Sequence, residues 1–215
     1  MAQDTIAAIS TAQAPGGIGL IRISGPRAQE IADKVFTARS GKRLAEEKGY
    51  TVHYGRVQDE EGPIDEAIAI NYRAPASFTG ENVAELSCHG GRVVLYDVLA
   101  ALLAAGARQA GPGEFTRRAF LNGKLDLAES EAIIDLITAS SRAAARAALS
   151  QASGALSARC RLLRAKLVEA DADIMAYVDF SDEGVVQADP AALCAALTLC
   201  FCIPVVAEAV EVSAT

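Results

Sequence analysis

The hydrophobic pattern of this chain changes period once, near residue 111, and that change limits the folds it can adopt. Before this point, runs that alternate apolar and polar residues predict strands at 4–10, 17–24, 51–58, 65–73 and 83–88. Helical periodicity interrupts them at 26–36, beginning with Pro26, and at 92–106, ending with a glycine cap. We therefore expect an α/β or α+β domain here, and an α+β fold once the helical remainder is included.

From Pro112 onward the pattern is helical. Asp126 and Glu129 have the spacing of a capping box at the start of one helix, and a longer helix is expected over about 141–180. Apolar residues recur along one side of that longer segment and form a narrow seam: Leu149, Leu156, Leu163, Leu167, Ile174 and Val178. Because no second seam follows in the sequence, we expect this one to pack against a partner helix.

Composition limits the partners and the compartment. A net charge of −7 and a pI near 4.9 argue against a broad basic surface for nucleic acid, so any RNA contact is expected to be local or made by a partner. Five cysteines without a Cys-x-x-Cys pair favour a reducing cytoplasm over a disulfide scaffold or a zinc ribbon. We expect no secretory signal, because the first ten residues have neither a basic region nor a long apolar one. We also expect no membrane anchor, because the apolar run at 191–207 contains Pro204 and lacks basic flanks.

The glycine-rich stretches do not fit nucleotide-binding motifs. Gly16, Gly17 and Gly19 would need a further glycine where Arg22 stands to form a dinucleotide fingerprint. The two Gly-Lys pairs, at 41–42 and 123–124, have neither the following Ser or Thr nor the preceding Gly of a phosphate loop. Hydrolysis of GTP or ATP by such a loop is therefore not expected.

The segment 75–91 concentrates reactive side chains. Cys88 and His89 suggest a thiolate pair, but neighbours on a strand point to opposite faces, which favours packing over catalysis. With only two histidines in the chain, a metal site is not expected. Glu81 follows a turn and is expected to be solvated. Glu85 lies in a buried strand, where it needs either a salt bridge, for example to Arg22, or a ligand with paired N–H donors.

A third cluster spans 111–133. Thr116 is expected to cap a short helix that Asn122 and Gly123 end. Taken alone, Arg117, Arg118 and Lys124 are interpreted as a solvated basic rim of that helix. No catalytic nucleophile or base stands out in any of the three clusters.

Three stretches in this order, GGIGLIRISG at 16–25, SFTGENVAELSCHGG at 77–91 and GPGEFTRRAFLNGKLDLAESEAIIDLI at 111–137, closely resemble the N-terminal region of the MnmE (TrmE) family of tRNA-modification GTPases. The similarity covers residues 4–188. It implies a folate-binding and dimerisation domain at 1–118, the first part of a helical domain at 119–188, and an atypical tail at 189–215 whose fold we do not predict.

The resemblance also implies a function. Members bind 5-formyl-tetrahydrofolate or a related tetrahydrofolate as a one-carbon source, form homodimers through the N-terminal domain, and work with the FAD protein MnmG. Together they build the 5-carboxymethylaminomethyl group on the wobble uridine of tRNA. The family's folate contacts fall on Arg22, Glu85 and Lys124, although the sequence does not assign a cation to each folate group. The glycines at 16, 17, 19, 90 and 91 are expected to let backbone approach the ligand.

The departures from the family pattern restrict this expectation. The motifs of the inserted GTPase domain are absent from the 215 residues, so GTP, potassium and magnesium are expected only in full-length members. The family's terminal Phe-Cys-Ile/Leu-Gly-Lys box is absent too, and we interpret the partial match at 201–203 as coincidence. The chain is thus interpreted as a shortened member that retains folate binding. The alternative is a structural dimerisation or partner-binding fragment without folate chemistry.

Overall fold

The computed structural model describes residues 4–12 and 14–179, which divide into two compact units after Leu125. The first unit contains a seven-stranded sheet: β1 (Ile6–Ile9), β2 (Gly16–Ser24), β3 (Phe36–Ala38), β4 (Thr51–Gln58), β5 (Pro63–Tyr72), β6 (Val83–Gly90) and β7 (Arg108–Gln109). Its helices are α1 (Ala28–Val35), α2 (Arg92–Ala104) and α3 (Glu114–Leu121). The sheet and helices confirm the predicted α+β class.

The strands are ordered β3-β4-β5-β6-β2-β1-β7. All neighbours are antiparallel except β1 and β7, which are parallel. Every predicted strand is present. The sequence did not predict β3 and β7, because strands of three and two residues are too short for an alternating pattern to reveal. The first helix begins at Ala28, so the expected helix start at Pro26 was wrong.

The two faces of the sheet differ. One face packs under α1 and α2, where Ile21, Ile23 and Leu86 are fully buried in a continuous apolar core. As predicted, the period of two turns Arg22 to the other side, where it lies directly opposite Glu85 of β6. We call this second side the open face. It presents exposed apolar side chains: Ile18, Val52, Tyr54 and Ile68.

Two of the glycines expected to admit a ligand have a role in the packing of the sheet. A Cβ at Gly90 would lie 2.5 Å from the carbonyl oxygen of Gly16 on the paired strand β2. A Cβ at Gly19 would lie 2.6 Å from both terminal methyl groups of Leu95 on α2. These glycines therefore allow close approach of backbone and helix to the sheet, and the ligand approach expected for them stays a prediction.

The second unit is helical: α4 (Leu127–Thr138), α5 (Arg142–Ala152) and α6 (Ala155–Asp179). The predicted capping box is present, since Asp126 accepts from the backbone N–H of Glu129 and Glu129 accepts from that of Asp126. The single long helix expected over 141–180 was wrong. Gly154, with a φ of 81°, separates two helices, because only glycine adopts this conformation readily.

The break also divides the predicted seam, leaving Leu149 on α5 and the later members on α6. Leu149, Leu167, Ile174 and Val178 are exposed to solvent. Among the described helices, none is long and apolar enough to cross a membrane. The apolar run at 191–207, the match at 201–203 and the tail at 189–215 lie outside the described residues.

Candidate functional site

A pocket of about 290 Å³ lies on the open face of the first unit. It brings together the three sequence-predicted site residues: Arg22 from β2, Glu85 from β6, and Lys124 from the segment after α3. The remaining lining consists of Tyr50, Tyr72, Ala76, Ser77, Phe78 and Val83. The aromatic residues were not predicted. The pocket thus combines one carboxylate, two cations and three aromatic rings.

Arg22 and Glu85 form the base of the pocket. They are Cα partners across the β2–β6 pair, and Arg22 Nε donates to Glu85 Oε1 at 2.7 Å. Their side chains are 24% and 11% exposed. The predicted salt bridge is therefore present, and it compensates the burial of the carboxylate.

Glu85 has a second neighbour in Tyr72, whose hydroxyl donates to Glu85 Oε2 at 3.4 Å. Burial, and then the negative charge of Glu85, raise the pKa of Tyr72, so this phenol stays protonated and remains a donor. An ionised carboxylate offers about four acceptor positions. Two protein donors leave Glu85 able to accept from a ligand.

Arg22 is held by aromatic rings as well as by Glu85. Its guanidinium carbon lies 5.1 Å from the centre of the Phe78 ring and 5.7 Å from that of Phe115. Both distances are in the range of cation–π attraction. The rings restrict the position of the guanidinium while its remaining N–H groups can still donate.

Lys124 is directed to the pocket by the turn at residues 79–81. Asn122 Nδ2 donates to the carbonyl oxygen of Thr79 at 2.7 Å, which ties the end of α3 to this turn. A Cβ at Gly80, whose φ is 76°, would lie only 3.0 Å from Lys124 Cγ. Gly80 therefore provides both the turn and the space for the lysine stem. As predicted, Asn122 and Gly123 end α3.

The same helix carries a buried ionic network behind the turn. Arg118 donates to both carboxylate oxygens of Glu81 at 3.3 Å and to Asp4 Oδ1 at 2.6 Å. It also donates to Glu114 at 3.2 Å. Glu81 and Arg118 are buried, so their interpretation as solvated groups was wrong. Thr116 does not cap the helix either, since α3 begins at Glu114 after Gly113.

The network lowers the pKa values of its carboxyls. Hydrogen bonding by Arg108 is the largest cause of lowering in Glu114, whose pKa falls to about 2, and it also lowers the pKa of Asp4. A sequence pattern reveals none of these contacts, because Asp4 and Arg108 reach α3 only through the pairing of β1 with β7.

Cys88 and His89 point to opposite faces of β6, as predicted. Cys88 is buried in the core, and burial raises the pKa of its thiol to about 12. His89 is exposed, and its Nδ1 lies 2.7 Å from Asp65 Oδ1. The two side chains therefore do not form a nucleophile and base.

This geometry predicts that iodoacetamide modifies Cys88 at least about 100-fold more slowly than the exposed Cys160, because only thiolate reacts and the core excludes the reagent. Peptide mass spectrometry of the folded chain measures both rates. In denaturant the two rates should converge. Similar rates in the folded chain would contradict the assignment of Cys88 to packing.

No group of three His, Cys, Asp or Glu side chains within residues 4–12 and 14–179 is arranged to hold a metal ion. The groups that the pocket offers to a ligand are therefore side chains: an acceptor at Glu85, cationic donors at Arg22 and Lys124, and the rings of Tyr50, Tyr72 and Phe78. This combination suits an anionic or carbonyl-bearing ligand with a flat ring and adjacent N–H donors.

Sequence comparison identifies the family to which the chain belongs. Residues 5–124 match the family model "GTP-binding protein TrmE N-terminus", and residues 127–200 match the model "MnmE helical domain". The first match covers more than half of the chain. The chain therefore belongs to the MnmE (TrmE) family.

Three proteins named tRNA modification GTPase MnmE illustrate the similarity to curated relatives. That of Bacteroides fragilis strain ATCC 25285 is 50% identical over 194 residues, covering 90% of this chain and 42% of the relative. The Symbiobacterium thermophilum protein is 47% identical over 85% of this chain and 40% of its own length. The Geobacillus kaustophilus protein is 47% identical over 83% and 39%. The chain thus spans about two fifths of the length of these relatives.

Proposed function

We propose that this chain binds 5-formyl-tetrahydrofolate, or a related reduced folate, in the pocket of its first unit. The observation that supports this proposal most strongly is that Arg22, Glu85 and Lys124, distant in sequence, line one pocket. These are the same three residues to which the resemblance to the family assigned folate contacts.

The chemistry of the ligand fits the residue types. A reduced pterin carries a ring N–H beside an exocyclic amine, and a carboxylate such as Glu85 accepts both as a fork. Arg22 and Lys124 offer positive charge to the pterin carbonyl, the formyl oxygen or the glutamate carboxylates. The aromatic lining supplies apolar contact area for the ring.

In the cell, the bound folate would serve as one-carbon source for modification of the tRNA wobble uridine at carbon 5. The MnmG-type FAD protein would be the partner, tRNA would be bound through the complex, and the reaction would be cytoplasmic. Family membership and the relatives' name, tRNA modification GTPase, support this role. GTP hydrolysis with potassium and magnesium would be carried out only by full-length members of the family.

Isothermal titration calorimetry with 5-formyl-tetrahydrofolate tests the proposal. The expected result is one site per chain with a dissociation constant in the micromolar range, about −8 kcal/mol. p-Aminobenzoylglutamate, which lacks the pterin, should bind much more weakly because it has no adjacent pair of ring N–H and exocyclic amine for Glu85 to accept. Absence of heat with the folded chain, or equal affinity for both compounds, would contradict the proposal.

We also propose that the open face forms a homodimer interface. Exposed Val52, Tyr54 and Ile68 lie side by side on β4 and β5, where Tyr54 and Ile68 are direct cross-strand partners. An exposed apolar surface of this kind on a sheet is typical of a protein interface. We propose a second copy of the chain as the partner on this face, because the resemblance to the family implies homodimers formed through the N-terminal domain.

A positive charge introduced into the open face should dissociate the proposed homodimer. The unchanged chain is expected to scatter light as a dimer, and Ile68→Lys should weaken the dimer by about 100-fold, because a buried interface cannot solvate the ammonium group. Val93→Lys is the matched control, since Val93 is exposed on α2. A dimer that survives Ile68→Lys would place the contact elsewhere, and a monomeric unchanged chain would contradict the proposed homodimer.

The exposed seam residues of α5 and α6 favour a second candidate, a structural subunit that binds a protein partner without folate chemistry. Crosslinking to a full-length homologue or to MnmG, together with calorimetry, distinguishes the two. A folded chain that captures either protein and gives no heat with folate would support the structural candidate.

A further inference from the structure

Tyr50 has an unusual backbone at the border of the pocket. Its φ is 62°, and within the described residues it is the one non-glycine residue with a positive φ. A bulky side chain in this region is strained, and such residues persist only where the surroundings fix them. Strain of this kind is concentrated at ligand-binding positions.

Two residues at the end of β5, one in the strand and one just after it, hold the segment that precedes Tyr50. The side-chain amide of Asn71 donates to the carbonyl oxygens of residues 44, 47 and 48, and the guanidinium of Arg73 donates to those of 44, 45 and 47. The backbone N–H of Tyr50 itself donates to the carbonyl oxygen of Asn71 at 2.7 Å. The backbone of Tyr50 and of the segment before it is therefore fixed by hydrogen bonds, although the Tyr50 side chain is exposed.

Packing within the chain does not account for this conformation. The residue is 70% exposed, so the ring gains little from burial. Its ring touches that of Tyr72 edge to face, with centroids 5.7 Å apart and planes at 83°. Because Tyr72 lies against Glu85, this contact puts the Tyr50 ring beside the group that is proposed to accept the pterin N–H donors.

We infer that the Tyr50 ring stacks on the flat ring of the ligand. This contact would favour ligands that carry a planar heterocycle over anions that carry none. The inference rests on the proposed folate binding and adds a specificity-determining residue to it. Glu85 would fix the edge of the heterocycle and Tyr50 one of its faces. An edge contact and a face contact together define the plane in which the ring lies.

Tyr50→Asn separates this role from a structural one, because asparagine adopts positive φ more easily than tyrosine. The variant is expected to unfold at the same or a higher temperature than the unchanged chain. Its affinity for 5-formyl-tetrahydrofolate should fall by about 10-fold, the scale of one lost aromatic stacking contact. Tyr50→Phe keeps the ring and should bind within about threefold of the unchanged chain. Calorimetry and thermal unfolding provide the two readouts.

The outcomes are distinct. Weaker binding by Tyr50→Asn with undiminished thermal stability, and recovery in Tyr50→Phe, would support the inference. Equal affinity of Tyr50→Asn and the unchanged chain would overturn it and leave the proposed function standing. A lower unfolding temperature together with weaker binding would assign Tyr50 a structural role and also overturn it. If the unchanged chain binds no folate, both the inference and the proposed function fail.

Discussion

Replacement of Glu85 by glutamine is expected to weaken binding of 5-formyl-tetrahydrofolate by about 100-fold, or about 3 kcal/mol. Glutamine has nearly the same volume, but its amide offers one acceptor oxygen and no charge. It cannot accept two N–H donors as a fork, and it leaves Arg22 without the charged partner that now lies at 2.7 Å. Calorimetry of the variant beside the unchanged chain measures the loss.

The unfolding temperature of the same variant separates binding from folding. Loss of one partly buried, charged hydrogen bond should cost about 2 kcal/mol of stability, which leaves the unit folded. Glu61→Gln, in the exposed turn between β4 and β5, changes charge equally and should alter neither quantity. Unchanged affinity in Glu85→Gln would remove this carboxylate from the site.

Arg118→Met is expected to destabilise the first unit by about 3–5 kcal/mol, because it leaves Glu81 buried without its cationic partner. Methionine retains most of the apolar volume, so the loss reports charge and hydrogen bonding rather than a cavity. Four of the five tyrosines lie between residues 50 and 96. Tyrosine fluorescence during denaturation in urea therefore follows mainly this unit.

Arg117→Met provides the matched control on the same helix. Arg117 is exposed, and its removal should change stability by no more than about 0.5 kcal/mol. Arg118→Lys should give an intermediate loss, since one ammonium group cannot reach Asp4, Glu81 and Glu114 together. Equal effects of the two methionine variants would show that the network contributes no more than a surface charge.

The sequence predicted those parts of the site that follow from strand alternation. The period of two put Arg22 on the face away from Ile21 and Ile23, and the burial expected for Glu85 required a partner such as Arg22. Strand alternation does not predict a role for Lys124 in the site, and this role was predicted only from the resemblance to the family. The separation of Cys88 from His89 also followed from alternation alone.

The remaining site depends on contacts between distant segments, which local patterns do not record. Glu81 and Arg118 each look solvated in sequence, and only the fold brings them together with Asp4. Tyr50 reaches the pocket because Asn71 and Arg73 hold the preceding segment. The break at Gly154 was missed because the heptad spacing on both sides continued through it.

A crystal structure of the chain grown with 5-formyl-tetrahydrofolate would show directly whether the pocket of the first unit binds the pterin. We expect the pterin in the pocket of Arg22, Glu85 and Lys124, with two of its N–H groups within hydrogen-bonding distance of the Glu85 carboxylate. A folate bound elsewhere, for example in the pocket of about 370 Å³ beside Lys34 and Gln58, would contradict it. So would a folate in the predicted pocket whose pterin N–H groups face away from Glu85.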